Sequence, residues 1–261
     1  MAQNVLLTGG TGFIGKHLTD VLIEAGYSVS VLSRSNKEDT LEIQYYKWDL
    51  NKNYIDENAV LNADFVIHLA GEGIVEKRWT KKRKNAIIES RVRPIEMIHS
   101  ILENNNKKLE AFVSASGIGI YGAVTSHKIC TENTPPADDF LGTTCQKWES
   151  AVDKIGALEI RTVKIRTGIV FGKNEGFLKK LTPSFKSGFG AVLGSGKQYL
   201  PWIHIEDLAA MFQYAVLNNW EGVFNAVAPN PVSNAELTKA IARTLGKPVF
   251  MPNVPKFAMK L

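Results

Sequence analysis

Two groups of residues have the types and spacing to do chemistry. The first is TGGTGFIG, Thr8 to Gly15, where Gly9, Gly12 and Gly15 form a GxxGxxG pattern between an apolar run and a helical run. Gly9 permits a tight turn, Gly12 lets the backbone approach a pyrophosphate, and Gly15 lets a helix pack closely on a strand. The pyrophosphate then rests on free N–H groups at the helix N-terminus, with Thr11, Phe13 and Ile14 completing the cradle. The competing reading is a glycine turn with no ligand. The second group lies in TTCQKWES, Thr143 to Ser150, where Cys145 and Glu149 stand four residues apart. That spacing puts a thiol and a carboxylate on one helix face. A neighbouring carboxylate disfavours a thiolate, so Cys145 is expected to stay protonated. The plainer readings are a small buried cysteine beside Trp148 and a salt-bridged or capping glutamate.

The run after the second strand signal bears on cofactor choice. It reads Leu32-Ser33-Arg34-Ser35, where an NAD site usually carries Asp or Glu for the ribose hydroxyls. A basic, hydroxylated position suits an extra 2′-phosphate: Arg34 can bind it bidentately and Ser33 and Ser35 can donate to it. The expectation is NADP(H) in preference to NAD(H), against the alternative of a solvated loop arginine. Asp49, after a further strand-like run, is read either as an acceptor for the adenine amine or as a turn cap.

These groups need a frame. NVLLTGG reads as a buried strand entering a turn, and Phe13 to Ala25 is apolar at helical spacing until Gly26 stops it. SVSVLSRS, ADFVIHLAG, AFVSASG and RTVKIRTGIVFG read as further strands; Thr80 to Asn104 and Thr143 to Ile155 read as helices. Strands alternating with helices predict an α/β protein with a Rossmann-type doubly wound parallel sheet. Phe177 to Leu200 is glycine-rich and read as irregular. Ile203 to Asn218 reads as a short strand and a helix capped by Asp207, VFNAVAP as a strand, and Ser233 or Asn234 as the cap of a helix through Leu245. The expected division is a dinucleotide-binding domain over 1–172, with 203–228 returning to it. A small interleaved C-terminal substrate lobe comprises 173–202 and 229–261.

Composition narrows the classes. The chain has 261 residues, 44% hydrophobic and 22% charged, an ordinary globular balance, and its net charge of +5 suits an anionic ligand. Cys130 and Cys145 form no metal or disulfide pattern, and no His, Cys, Asp and Glu cluster has ligand spacing, so no metal is expected. The lack of a disulfide pattern points to a reducing cytoplasm; no apolar stretch is long enough for a membrane helix, and no secretory signal is read ahead of the first strand. KRWTKKRK, Lys77 to Lys84, is read as a solvated helix start beside an anionic substrate channel rather than a nucleic-acid patch. His17, His99 and His127 are read as surface or satisfied residues, and His68 as packed rather than catalytic.

Taken together, the chain resembles the extended short-chain dehydrogenase/reductases, the NAD(P)-dependent epimerase/dehydratase group. TGGTGFIG (8–15), HLAG (68–71), SASGIGIYG (114–122) and WIHIEDL (202–208) carry the likeness. Within the group it is similar to the atypical branch of epimerase-family proteins of unknown substrate, through AGEGI (70–74), RW (78–79), SRV (90–92), TENTPPADDFL (131–141), CQKWE (145–149), IRTGIVFG (165–172), LGSGKQ (193–198) and NAVAPNPVSNAE (225–236). Members of that branch usually run on beyond the point matching Leu261.

The resemblance implies a catalytic serine at Ser116, with Ser114 the lesser candidate. It also implies cofactor contacts from Leu69, Ala70, Gly71 and Arg166, and a place for His204 near the lobe junction. It further implies a tyrosine and, four residues on, a lysine; this chain has Cys145 and Glu149 there. The usual relay therefore does not carry over. Three readings stay open. Glu149 is a general base or binds the ribose hydroxyls; Tyr121, after SASG, supplies the acid; or the site binds cofactor without turnover. The expectation is an NADP(H)-binding, epimerase-like oxidoreductase acting on a small hydroxyl- or carbonyl-bearing substrate, with sugar derivatives among the candidates. The alternative is a non-catalytic NADPH sensor or interaction protein. A homodimer is left open; nucleic-acid and membrane partners are not expected.

Overall fold

A computed structural model of the chain describes residues 2–125, 128–173 and 175–255. His127 therefore lies outside the described residues. The elements run β1 (Asn4–Thr8), α1 (Phe13–Glu24), β2 (Ser28–Ser33), β3 (Ile43–Asp49), β4 (Tyr54–Ile55), α2 (Glu57–Leu61), β5 (Phe65–His68), α3 (Lys81–Asn104), β6 (Ala111–Gly117) and α4 (Phe140–Gly156). They continue with β7 (Thr162–Thr167), β8 (Ile169–Gly172), α5 (Gly176–Lys186), β9 (Tyr199–Leu200), β10 (Trp202–His204), α6 (Ile205–Leu217), β11 (Gly222–Ala226), β12 (Val232–Ser233) and α7 (Asn234–Thr244).

Among the described residues the main sheet has the order β11-β7-β6-β5-β1-β2-β3-β4, parallel except where β4 turns back along β3. The central strands carry unbroken apolar runs because helices cover both faces: Val5, Leu6, Leu7, Val66, Ile67, Phe112 and Val113 are fully buried. β1 lies between β2 and β5. The strand order reverses at β1–β5, and in such sheets ligands bind beyond the carboxyl ends of the strands at that reversal. The glycine turn leaves β1 there, and HLAG leaves β5 beside it.

Local chemistry sets the element ends. Gly26, at φ +87°, stops α1. The Thr80 side chain caps α3 by accepting from Arg83 N. α4 starts three residues before the Thr143 expected from periodicity, because Asp139 caps it by accepting from Gly142 N at 2.8 Å. That bond holds the Asp139 carboxyl below its ordinary range.

Three local expectations are corrected. RTVKIRTGIVFG is two strands, because the chain leaves the main sheet at Gly168; β8 then pairs with β10 in a separate parallel ladder. A side chain at Gly168 would begin only 2.9 Å from Pro201 O, so close strand approach requires glycine there. The stretch read as irregular contains α5, whose internal Pro183 and neighbouring glycines obscure its period. His204, not Asp207, caps α6 by accepting from Glu206 N, and Asp207 sits in the first helical turn. Ser233 caps α7 with Glu236 in a reciprocal capping box.

Candidate active site

The glycine turn has the shape its spacing implies. Gly9 has φ +74° and lies against the next loop: an added Cβ would be 2.9 Å from Ala70 N. A Cβ on Gly15 would be 2.3 Å from Gly9 O and 2.5 Å from Gly10 Cα, so turn and helix touch there. Gly12 differs. Its Cβ would meet only Gly9 O, at 3.3 Å, and otherwise faces open space. Gly12 also provides no side-chain cap, and no acidic residue occupies the first turn of α1. The N–H groups of that turn are therefore left for a bound anion. These features fit a dinucleotide pyrophosphate, which Gly9, Thr11, Gly12, Phe13, Ile14 and Gly15 would hold. The Phe13 ring also packs where Cβ atoms on Gly172 and Gly176 would otherwise stand.

Arg34 is exposed at the end of β2. The Lys47 ammonium donates to its backbone carbonyl. Lys47 thus adds a second cation beside Arg34, which the sequence reading missed because it belongs to the next strand. Ser33 is buried and its hydroxyl donates to Ser35 O at 2.8 Å. Asp49 Oδ1 accepts from Asn51 N at 3.0 Å, which gives it the turn-cap role.

Beyond β6 and β7 the sequence-derived candidates converge. The Ser116 hydroxyl donates to Glu149 Oε1 at 2.6 Å. Arg166 donates to the same carboxylate twice, from Nε to Oε1 and from Nη2 to Oε2, both at 2.8 Å. Ser116, Glu149 and Arg166 are 4%, 7% and 7% exposed, so this is a buried, bidentate ion pair. The hydrogen bonds to Glu149 raise the guanidinium's pKa above its already high ordinary value. Arg166 Nη1 also donates to Tyr121 OH at 2.9 Å and to Glu132 O at 3.1 Å. The Tyr121 hydroxyl in turn donates to Asn225 Oδ1 at 2.7 Å, and Asn225 N donates to the Glu132 carboxylate at 2.7 Å. Glu132 and Asn225 belong to motifs noted in the sequence but carried no assigned role. Only the fold reveals them, since 93 positions separate them.

Cys145 stands on the same face of α4, one turn before Glu149, with its sulfur 3.6 Å from where a Cβ on Gly117 would be. Its thiol is pushed up to about 11, first by burial and then by the Glu149 charge, against the opposing pull of Arg91 and Arg166. The expected direction holds, but burial is the larger cause. Arg91, 7% exposed, donates to Ile87 O and Glu72 O, and its guanidinium lies 5.1 Å from the Trp148 ring centre. Arg83 pairs with Glu72 and donates to Gly73 O, so two of the three arginines of α3, Arg83 and Arg91, clasp the AGEGI loop. Within the basic stretch, Trp79 Nε1 donates to Ile74 O and its ring packs against Phe140 at the start of α4. The basic segment is thus folded against the helix that carries Cys145 and Glu149. Among the described residues, no group of three or more His, Cys, Asp or Glu could hold a metal ion, and no helix is long and apolar enough to cross a membrane.

A doubly wound sheet with a glycine phosphate turn at its reversal, and a buried polar site on the adjoining strands, defines an NAD(P)-binding, oxidoreductase-like fold. The profile of the NAD dependent epimerase/dehydratase family matches residues 5–226, and the chain belongs to that family. It is 38% identical over 258 residues to epimerase family protein YfhF of Bacillus subtilis, covering 98% of this chain and 84% of the relative. The crystal structure of human epimerase family protein SDR39U1 (isoform 2) with NADPH is similar at a TM-score of 0.83 and 30% identity, over 97% of this chain and 83% of that one. UDP-glucuronic acid 4-epimerase of Bacillus cereus, in complex with UDP-glucuronic acid and NAD, shares the fold alone, with a TM-score of 0.82 at 20% identity over 97% and 86% of the chains.

Proposed function

We propose that this protein is an NADP(H)-dependent oxidoreductase of the epimerase type whose proton route runs through Ser116 and Glu149. The human relative with NADPH supports the choice of dinucleotide, as do Arg34 and Lys47 at the end of β2 and β3. When bound, the dinucleotide supplies the hydride acceptor or donor. Leu69, Ala70 and Gly71 would line it beyond the pyrophosphate.

The single observation that carries the reading is the 2.6 Å bond from Ser116 to Glu149. A carboxylate only accepts, so the serine proton is committed to it, and the Ser116 oxygen offers lone pairs to a ligand. In this state the serine accepts from a substrate hydroxyl rather than donating to a carbonyl. As the substrate hydroxyl gives its proton to Ser116 Oγ, Ser116 passes its own proton to Glu149. In the reverse direction Glu149 must first be protonated, and Ser116 then donates to the carbonyl oxygen. Arg166 fixes the carboxylate's position and balances its charge. The Tyr121 proton points to Asn225, so Tyr121 serves here to hold Arg166 rather than as the acid.

The test is hydride transfer at 340 nm with NADP+ and a panel of polyhydroxylated small molecules. Any substrate found should be turned over at least a hundredfold more slowly by Ser116→Ala and by Glu149→Gln, the scale of a lost general base. Turnover by Glu149→Gln at the parent rate contradicts the proton route. Tight NADPH binding with no turnover across the panel favours the sensor reading.

A further inference from the structure

His68 and Thr8 are both fully buried, at 0% exposure, and stand directly opposite each other in the β5–β1 ladder. Each is the last residue of its strand. The glycine turn begins after Thr8 and the HLAG loop continues after His68. Thr8 Oγ1 lies 2.7 Å from His68 Nδ1, and His68 Nε2 lies 3.1 Å from Arg91 O. A carbonyl only accepts, so Nε2 carries the proton and Nδ1 must accept from the Thr8 hydroxyl. That fixes the hydroxyl's remaining lone pairs on the loop, where Oγ1 accepts from Leu69 N and Ala70 N, each at 3.2 Å. Leu69 N also reaches Thr8 O at 3.0 Å, but Ala70 N has Oγ1 as its acceptor. Burial drives the imidazole pKa down to about 3, so the ring stays neutral and this tautomer persists.

The chain Arg91 O, His68, Thr8, Ala70 N therefore ties three elements together: α3, the glycine turn and the loop after β5. The tie is close, since a Cβ on Gly9 would stand 2.9 Å from Ala70 N. Two walls of the dinucleotide cradle are thus bridged by one threonine hydroxyl, beside the backbone bond from Leu69 N to Thr8 O. A purely apolar core would fill this space without fixing which way the 69–70 peptide faces. We propose that His68 and Thr8 are positioning residues for the dinucleotide: they orient the Leu69–Ala70 backbone and set the width of the cradle without touching the ligand. The inference rests on the assignment of that cradle to NADP(H).

The experiment is NADPH titration by fluorescence on the full chain and on four variants, each with its thermal midpoint. His68→Leu removes the acceptor for Thr8, and Thr8→Val removes the hydroxyl at almost constant shape. His68→Gln keeps an acceptor and a donor on one side chain, and Thr8→Ser keeps the hydroxyl. The expected result is NADPH binding about tenfold weaker in His68→Leu and Thr8→Val, the scale of one misaligned hydrogen bond. Affinity should recover to within about threefold of the parent in His68→Gln and Thr8→Ser, whatever their thermal midpoints. Should His68→Leu fail to fold, Thr8→Val carries the same comparison. Parent-like affinity in Thr8→Val, or equal loss in Thr8→Val and Thr8→Ser, overturns the positioning role and leaves the cofactor assignment standing. Failure of the parent protein to bind NADPH overturns that assignment as well.

Discussion

Arg166 and Glu149, on neighbouring elements 17 positions apart, close on each other through two 2.8 Å hydrogen bonds in a buried site. The usual pair at this place sets a cation beside a proton-transferring phenol. Here the helix supplies the anion and the adjoining strand supplies the cation. The site keeps a cation, but on β7 rather than on the helix, and the thiol of Cys145 is left out of the pair.

Breaking that pair on one side leaves a buried charge unmatched. Glu149→Gln and Arg166→Met should each lower stability by about 3–5 kcal/mol, while the double variant should lose distinctly less than the sum. Urea denaturation of the four proteins checks this. Additive losses would mean the two groups do not act as a unit.

The raised thiol predicts a particular pH dependence. From about 9.0, its ordinary value, to about 11, the unfolded chain has released the Cys145 proton and the folded chain has kept it. The unfolded state then binds fewer protons, so stability falls as pH rises through that window. The fall should be on the order of 2–3 kcal/mol, and Cys145→Ser should lack this component. Denaturation midpoints at pH 8.5 and 10.5 for both proteins measure it; parallel slopes would refute the burial account.

Two glycines of one turn should respond in opposite ways. Gly12→Val meets little protein, so the fold should stay within about 1 kcal/mol of the parent while NADPH binding is lost to the added bulk. Gly15→Ala places a methyl against backbone at 2.3 Å and should cost about 3 kcal/mol or more, because that backbone cannot move without opening the turn. Calorimetry with and without NADPH separates the cases. Unchanged NADPH affinity in Gly12→Val would remove the phosphate turn from the account.

The contrast between those glycines was legible in the sequence, because the phosphate turn is local: strand, turn and helix lie within a single stretch and each residue's role follows from spacing. So was the parallel sheet, since strands buried on both faces must read as unbroken apolar runs. The site was only half legible. Ser116, Tyr121, Cys145, Glu149 and Arg166 were all singled out, but as separate candidates. Helical periodicity places Glu149 beside Cys145; it does not show that Arg166 reaches across from β7 to neutralise it. Nor does it place Asn225 and Glu132 against Tyr121 and Arg166, contacts that arise only once β11 joins the sheet edge beside β7. Lys47 was missed beside Arg34 for the same reason: adjacency in a parallel sheet spans a crossover, and no local pattern records it.

The central claim, that this fold holds NADP(H) through the glycine turn and the basic end of β2, is tested most directly by titrating the protein with NADPH and NADH under identical conditions. The account predicts saturable binding of both, with NADPH about tenfold or more tighter, and loss of most of that margin in Arg34→Ala. Equal affinities in the parent protein, or binding of neither dinucleotide, would contradict it.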